Sequence, residues 1–184
     1  MQVRDFFRLW LWVRSRGRIS IGPKCRIERG AVLDLREAGR ITVGRKCRLR
    51  RGSMLIPYGG VISIGDDFSL NPYSVLYGHG GLSIGNSVRI AAGCVIIPAN
   101  HVFSDPGTAI RAQGLTKLGI VIEDDVWVGA NVTTILDGAH ISRGCVIAAG
   151  SVVRGQTEPL GIYAGVPAKL IRKRGRIETR EVAQ

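Results

Sequence analysis

The sequence predicts an all-β fold: a triangular solenoid of stacked parallel strands. Two observations carry this reading. Aliphatic residues recur six positions apart, as in Ile21 and Ile27, Val43 and Leu49, Ile64 and Leu70, Ile84 and Ile90, Ile122 and Val128, and Ile141 and Ile147. The larger unit repeats every 22, 21 and 20 residues between Ile21, Val43, Ile64 and Ile84. Six is neither a helical period nor a simple strand alternation, but it fits a short strand followed by a tight turn. Three hexads plus a short extra turn make one coil, and each coil buries its interior only against its neighbours.

The elements follow in chain order. Residues 1–18 form a separate segment, within which 2–16 reads as a short helix. Phe6, Leu9, Trp10 and Val13 fall three or four apart and Arg4, Arg8 and Arg14 are interleaved. This helix either caps the open end of the solenoid or packs on a neighbouring subunit. The other reading is an interfacial helix, with tryptophans at headgroup depth and arginines on anionic lipid. Arginine interrupts its apolar run and no small-residue cleavage site follows, so it does not read as a signal peptide. No apolar run reaches 18 residues. A cytoplasmic protein is expected, with peripheral contact at the inner face of the membrane if the helix is interfacial.

The solenoid spans 19–172. Six stretches share the hexad pattern: ISIGPKCRIERGAV, ITVGRKCRLRRGSM, ISIGDDFSLNPYSV, LSIGNSVRIAAGCV, IVIEDDVWVGANVT and HISRGCVIAAGSVV. The hexad reads aliphatic, small or polar, x, x, small, x. Extra turns between coils stand at 36–40, 58–60 and 78–81. Cys25, Cys47, Cys94 and Cys145 all occupy the fifth hexad position, as do Val132 and Ser151. That position points inward and favours a small residue, so the cysteines read as buried hydrophobes. No CxxC pair exists, and neither a zinc site nor a redox motif is expected.

Between Ile84 and Ile122 lie 38 residues where the beat needs about twenty. The excess, about 99–118, is a protruding loop holding His101, Asp105, Arg111 and Gln113, and long excursions from rigid scaffolds carry function. TTILDG at 133–138 holds one residue too many. Residues 173–184 form a polar tail expected to fray. The net charge of +12 calls for an anionic partner, without choosing among a nucleotide, an acidic glycan, a membrane or nucleic acid.

The stretch IEDDVWVGANVTTILDGAHISRGCVIAAGSVV, followed by IYAGVPAKLIRKR, resembles the hexapeptide-repeat acyltransferases. The resemblance covers Ile19 to Arg172, and its nearest branch is the sugar O-acetyltransferases acting on galactosides, maltose and polysaccharides. It implies a left-handed parallel β-helix, a hand opposite to what general crossover rules suggest. It also implies a homotrimer whose active sites lie between subunits, with acetyl-CoA as acyl donor and a sugar hydroxyl as acceptor in surface polysaccharide biosynthesis.

By the same resemblance His101 is the catalytic base. A sugar hydroxyl is a poor nucleophile, and an imidazole, which titrates near neutrality, can take its proton as the oxygen attacks the thioester. The backbone N–H of Ala130 aligns with the oxyanion donor. Trp127, Ala130 and Ala149 align with positions beside the pantetheine arm, and Lys169 and Arg172 with the basic tail that meets the nucleotide phosphates. Asn71 aligns with an acceptor-binding asparagine. His79 stands where the galactoside branch carries an acidic pair, so it either faces the acceptor or decorates its turn. Asp105, Arg111 and Gln113 either touch the acceptor or pin the loop. Cys94 is expected to be inert.

Alternative acceptors are serine or an amino sugar, since the scaffold serves both O- and N-transfer. A non-catalytic scaffold could omit the loop, VWVGANV and the basic tail. A zinc enzyme of the γ-carbonic anhydrase type is disfavoured because His79, His101 and His140 are 22 and 39 residues apart. A nucleic-acid binder lacks any recognisable module.

Overall fold

A computed structural model describes residues 10, 13–35, 37–132 and 134–175. Within them the chain is a parallel β-solenoid of about six coils with three flat faces. The first face stacks Ile19–Ile21, Arg40–Val43, Val61–Ile64, Leu82–Ile84, Ile120–Ile122 and His140–Ile141. The second stacks Arg26–Ile27, Arg48–Leu49, Ser69–Leu70, Arg89–Ile90, Trp127–Val128 and Val146–Ile147, and ends on a hairpin of Gly161–Gly165 and Ala168–Lys173. The third stacks Val32–Leu33, Met54–Ile56, Val75–Tyr77, Val95–Ile96, Thr134–Ile135 and Val152–Val153. We call the corners first (between the first and second faces), second (between the second and third) and third (between the third face and the next coil).

The hexad register holds from coil to coil. Ile21, Val43, Ile64, Ile84, Ile122 and Ile141 are successive partners on the first face, and all six are buried. The extra residue of the TTILDG stretch falls between Val132, whose carbonyl accepts the Val95 N–H, and Ile135, which partners Ile96. The glycine after each of the first four first-face strands is required by stacking: a Cβ on Gly44 would lie 2.5 Å from the Gly65 carbonyl oxygen. Side chains staple the same corner. Asp66 Oδ1 accepts the Arg45 N–H at 2.7 Å, Asn86 Oδ1 accepts the Asp66 N–H at 2.8 Å, and Asp124 Oδ1 accepts the Asn86 N–H at 2.6 Å.

The fifth hexad position does point inward. All four cysteines are free and buried there. The expectation that it takes only small residues needs correcting, because Phe68 occupies it on the third coil at 1 % exposure. With Val88 and Cys47 at the same position on the adjoining coils, the ring spans the prism interior and fills space that small neighbours leave. Phe68→Ala is therefore expected to cost about 3–5 kcal/mol, read as a lowered urea midpoint at unchanged m-value.

The ends differ from expectation. Of the helix predicted over 2–16, Trp10, Val13 and Arg14 have helical backbone; its other residues up to 12 lie outside the described residues, and no full helix is seen among those described. The tail is not free at its start. Lys173 lies in a strand and pairs with Glu158 at 2.8 Å, and Arg174 Nη1 donates to the Gly144 carbonyl at 2.8 Å and to Asp125 Oδ2 at 3.0 Å. Residues from 176 onward lie outside the described residues.

The outer sides of the three faces are chemically distinct. The first shows Ser20, Thr42, Ser63 and Ser83. The second shows Arg26, Arg48, Ser69, Arg89 and Trp127. The third shows Val32, Met54, Val75, Val95 and Val152.

Candidate functional site

The loop is an arm with its own structure. It leaves the fourth coil after Ile96, where the Pro98 carbonyl accepts the Gly80 N–H at 3.0 Å. Its root is a two-stranded antiparallel ladder in which Asn100 faces Thr116 and His101 faces Leu115. His101 is exposed at that root. Asp105 and Gln113 pin the arm. Gln113 Nε2 donates to the carbonyls of Asp105 and Thr108 at 2.9 and 2.7 Å, and Gln113 Oε1 accepts the Asp105 N–H at 3.1 Å. The Asp105 carboxylate accepts from the Thr108 hydroxyl at 2.6 Å and the Gly107 N–H at 2.8 Å, and these two donors hold its pKa below the usual carboxylate range. Arg111 sits exposed in a short 3-10 turn. The returning chain is tied to the fifth coil by Asp137 Oδ1, which accepts the N–H groups of Leu118 and Gly119.

His79 lies on the same third corner. Its ring stacks on Tyr58 with centroids 4.3 Å apart, and Tyr77 meets it edge-on at 5.7 Å. Burial, and then the nearby Lys117 charge, push its pKa below the ordinary histidine value. Its Nδ1 is buried without a hydrogen-bond partner. A cavity of about 340 Å³ beside Tyr58 is lined by Asp34, Glu37 and Ile56. His79 belongs to an aromatic cluster at the foot of the arm.

The other expected site residues lie along the second corner and the second face. The corner stacks Asn71–Pro72–Tyr73, Ala91–Ala92–Gly93, Gly129–Ala130–Asn131 and Ala148–Ala149–Gly150, joined by bonds such as Gly150 N–H to the Ala130 carbonyl at 3.0 Å. The middle residue of each triplet donates no hydrogen bond to another described residue, and on the third coil that residue is proline, which has no N–H to donate. The Ala130 N–H is thus a donor that the coil does not use. Trp127, 55 % exposed, stands on the adjoining face. Lys169 and Arg172 are exposed on the closing hairpin. Asn71 is half-buried, and its Nδ2 donates to the Ile90 carbonyl at 2.7 Å, a corner-supporting bond that leaves Oδ1 to accept. Cys94 is fully buried, and burial pushes its thiol pKa up, which disfavours a thiolate nucleophile.

A sequence profile described as the hexapeptide repeat of succinyl-transferase matches residues 119–154, the fifth and sixth coils. A protein of Mycobacterium tuberculosis named a probable acetyltransferase is 35 % identical over 115 residues, which are 62 % of this chain and 38 % of that one. WbbJ of Escherichia coli K12, named for lipopolysaccharide biosynthesis O-acetyl transfer, is 36 % identical over 121 residues, 62 % of this chain and 61 % of its own. The chain thus carries the hexapeptide repeat on its fifth and sixth coils and is similar to proteins named as acetyltransferases. It spans less than two thirds of the length of either relative. Among solved structures, AntD of Bacillus cereus, an N-acyltransferase crystallised with dTDP and 3-hydroxybutyryl-CoA, shares the fold and superposes with a TM-score of 0.74. That match covers 91 % of this chain and 89 % of AntD at 22 % identity.

Within this chain the expected site residues do not meet in one copy. His79 and His101 stand on the third corner; Asn71, Ala130 and Ala149 stand on the second, with Trp127, Lys169 and Arg172 toward the second face. One flat side separates the corners, roughly 15 Å for five extended residues. Three features escaped the sequence reading. Tyr77 stands two residues before His79, and Tyr58 could have been found by stepping back one coil. The unused N–H column was signalled by Pro72. The third is a Glu123–His140 pair on the first corner side, with Nε2 2.7 Å from Oε1 and Glu123 Oε2 accepting the Arg143 N–H at 2.8 Å. The bond to His140 is the main cause that lowers the Glu123 pKa. Among the described residues no three His, Cys, Asp or Glu side chains converge as a metal site.

Proposed function

We propose that this chain is an acetyl-CoA-dependent O-acetyltransferase acting on a sugar hydroxyl in surface polysaccharide biosynthesis, and that it works as a homotrimer. The observation that carries the reading is the division of its site. An exposed histidine stands on one corner and an unused backbone donor on another, so two copies are needed to complete it. The third face supplies the reason for association. Its outer side is an apolar stripe, with Val32 and Met54 38 % and 37 % exposed in a single copy. Phe103, Ile110 and Leu118 on the arm are likewise uncovered. Turning the third faces toward a common threefold axis buries the stripe and brings the third corner of each copy to the second corner of the next, a heterologous contact that closes as a ring.

Acetyl-CoA, as co-substrate, supplies the thioester. The second corner suits a thin arm passing close to the backbone, because Ala92, Ala130 and Ala149 in the middle of its triplets are small and their N–H groups are unused. Trp127, Ala130 and Ala149 are assigned to that passage, and Lys169 and Arg172 to the phosphates. His101 accepts the proton of the attacking hydroxyl. The Ala130 N–H donates to the oxygen on which negative charge develops. Asn71 and His79 hold the acceptor, Asn71 through its remaining acceptor oxygen.

The similarity to WbbJ favours a sugar hydroxyl. The fold shared with AntD keeps an amino-sugar acceptor as the second reading. A thiol reagent, reading coenzyme A released from acetyl-CoA across sugars, sugar nucleotides, amino-sugar nucleotides and serine, separates the two. Release with a hydroxyl acceptor supports the proposal, and release with amino sugars alone replaces it. No release, together with no acetyl-CoA binding by calorimetry, would make the chain a scaffold.

A further inference from the structure

The positive charge of this protein is concentrated at one end. Residues 1–60 hold 15 Lys and Arg against 4 Asp and Glu, whereas the remaining 124 hold 11 against 10. Arg45 and Arg50 are paired with Asp66 and Glu28. Six other exposed cations form two rows of three on the first two coils: Lys24, Arg26 and Arg29 below Lys46, Arg48 and Arg51. None of the six side chains has a hydrogen bond or ion pair among the described residues. Arg26 and Arg48 are direct partners on the second face. Lys24 and Lys46 stack at the first corner, each with positive φ, and Arg29 and Arg51 stack at the second. Adjacent strands are about 4.8 Å apart, and like charges directly opposite one another are destabilising. Three such pairs across one face oppose folding. Edge protection accounts for cations on the terminal coil, but not for the second row behind it.

We propose that this basic face docks on an anionic phospholipid surface. A bilayer is favoured over a soluble polyanion by what stands at the same end of the chain. Trp10 and Val13 are 45 % and 59 % exposed, the Arg14 guanidinium lies 5.3 Å from the Trp10 ring centre, and the sequence before them is rich in Phe, Leu and Trp. Aromatic and apolar residues beside clustered cations suit the headgroup boundary. Among the described residues no helix is long and apolar enough to cross a membrane, so the contact is peripheral. In a threefold assembly the three basic faces lie at one end, away from the apolar stripes. The inference stands independently of the acyl-transfer reading, since none of these residues is assigned to the site.

The test is sedimentation of the full chain with vesicles of phosphatidylcholine alone or with added phosphatidylglycerol. The variant carries Lys24→Ser, Arg26→Ser, Lys46→Ser and Arg48→Ser. Serine is native to both columns, as Ser69 on the face and Ser87 at the corner, where it too has positive φ. Wild type is expected to sediment with the anionic vesicles only, and to be released by salt. The variant should bind about a thousandfold more weakly with an equal or higher Tm, because like-charge pairs are gone. A milder variant, Arg26→Gln with Arg48→Gln, should fall between the two. Equal vesicle binding by wild type and variants would overturn the proposal. So would binding to neutral vesicles alone, or binding of a single-stranded oligonucleotide or sulfated polysaccharide without vesicle binding.

Discussion

His101→Ala is expected to lower turnover by about 10²–10⁴-fold, the usual contribution of a positioned general base, while leaving acetyl-CoA affinity nearly unchanged. The side chain is exposed at the root of the arm and has no part in the buried core, so its removal should not disturb folding. The arm itself is held by Asp105, Gln113 and Asp137, none of which bonds to His101. A lowered rate would therefore report chemistry rather than lost structure. Calorimetry of acetyl-CoA on the variant, beside its turnover, separates a base from a binding residue. Turnover near that of the wild type would remove His101 from the mechanism.

Val75→Asp is expected to abolish both the oligomer and its activity. Val75 sits mid-stripe on the third face, between Met54 and Val95, with its side chain outward. In a single copy a carboxylate there would be solvated, and the coil register, set by inward residues such as Leu76 and Ser74, would persist. In the ring the same group would be buried against apolar neighbours, at a cost of several kcal/mol per copy. Light scattering should show a folded monomer, and the assay should show no turnover. A trimer of wild-type activity would mean that the third face is not the interface.

Much of the solenoid was legible because its inward residues repeat by simple addition. The step from Ile21 to Val43 to Ile64 to Ile84 is also the observed register. Phe68 broke the rule for small residues, since interior volume is shared between coils and one large ring can offset smaller neighbours. The arm was legible as an excess of residues, but its ladder was not. A strand of two residues, Asn100 and His101, carries no period to read. The hand of the coil entered only through the family resemblance. For the candidate site, residue types were readable from motifs, whereas their division between two corners required the stacked register. The basic face became visible in the same way: the arginines of ISIGPKCRIERG and ITVGRKCRLRRG are scattered in sequence and adjacent in the stack.

The central claim is that each site is built from two copies, and mixed oligomers test it directly. His101→Ala spoils the third-corner half. Ala130→Pro removes the second-corner N–H, at a position where Pro72 shows that the coil accepts proline. Each variant alone should be inactive or nearly so. Co-expressed and purified as mixed trimers, they should recover about a quarter of wild-type turnover, because random assembly pairs an intact third corner with an intact second corner at one site in four. Mixed trimers as inactive as either parent would contradict a shared site and place the whole of it within one chain.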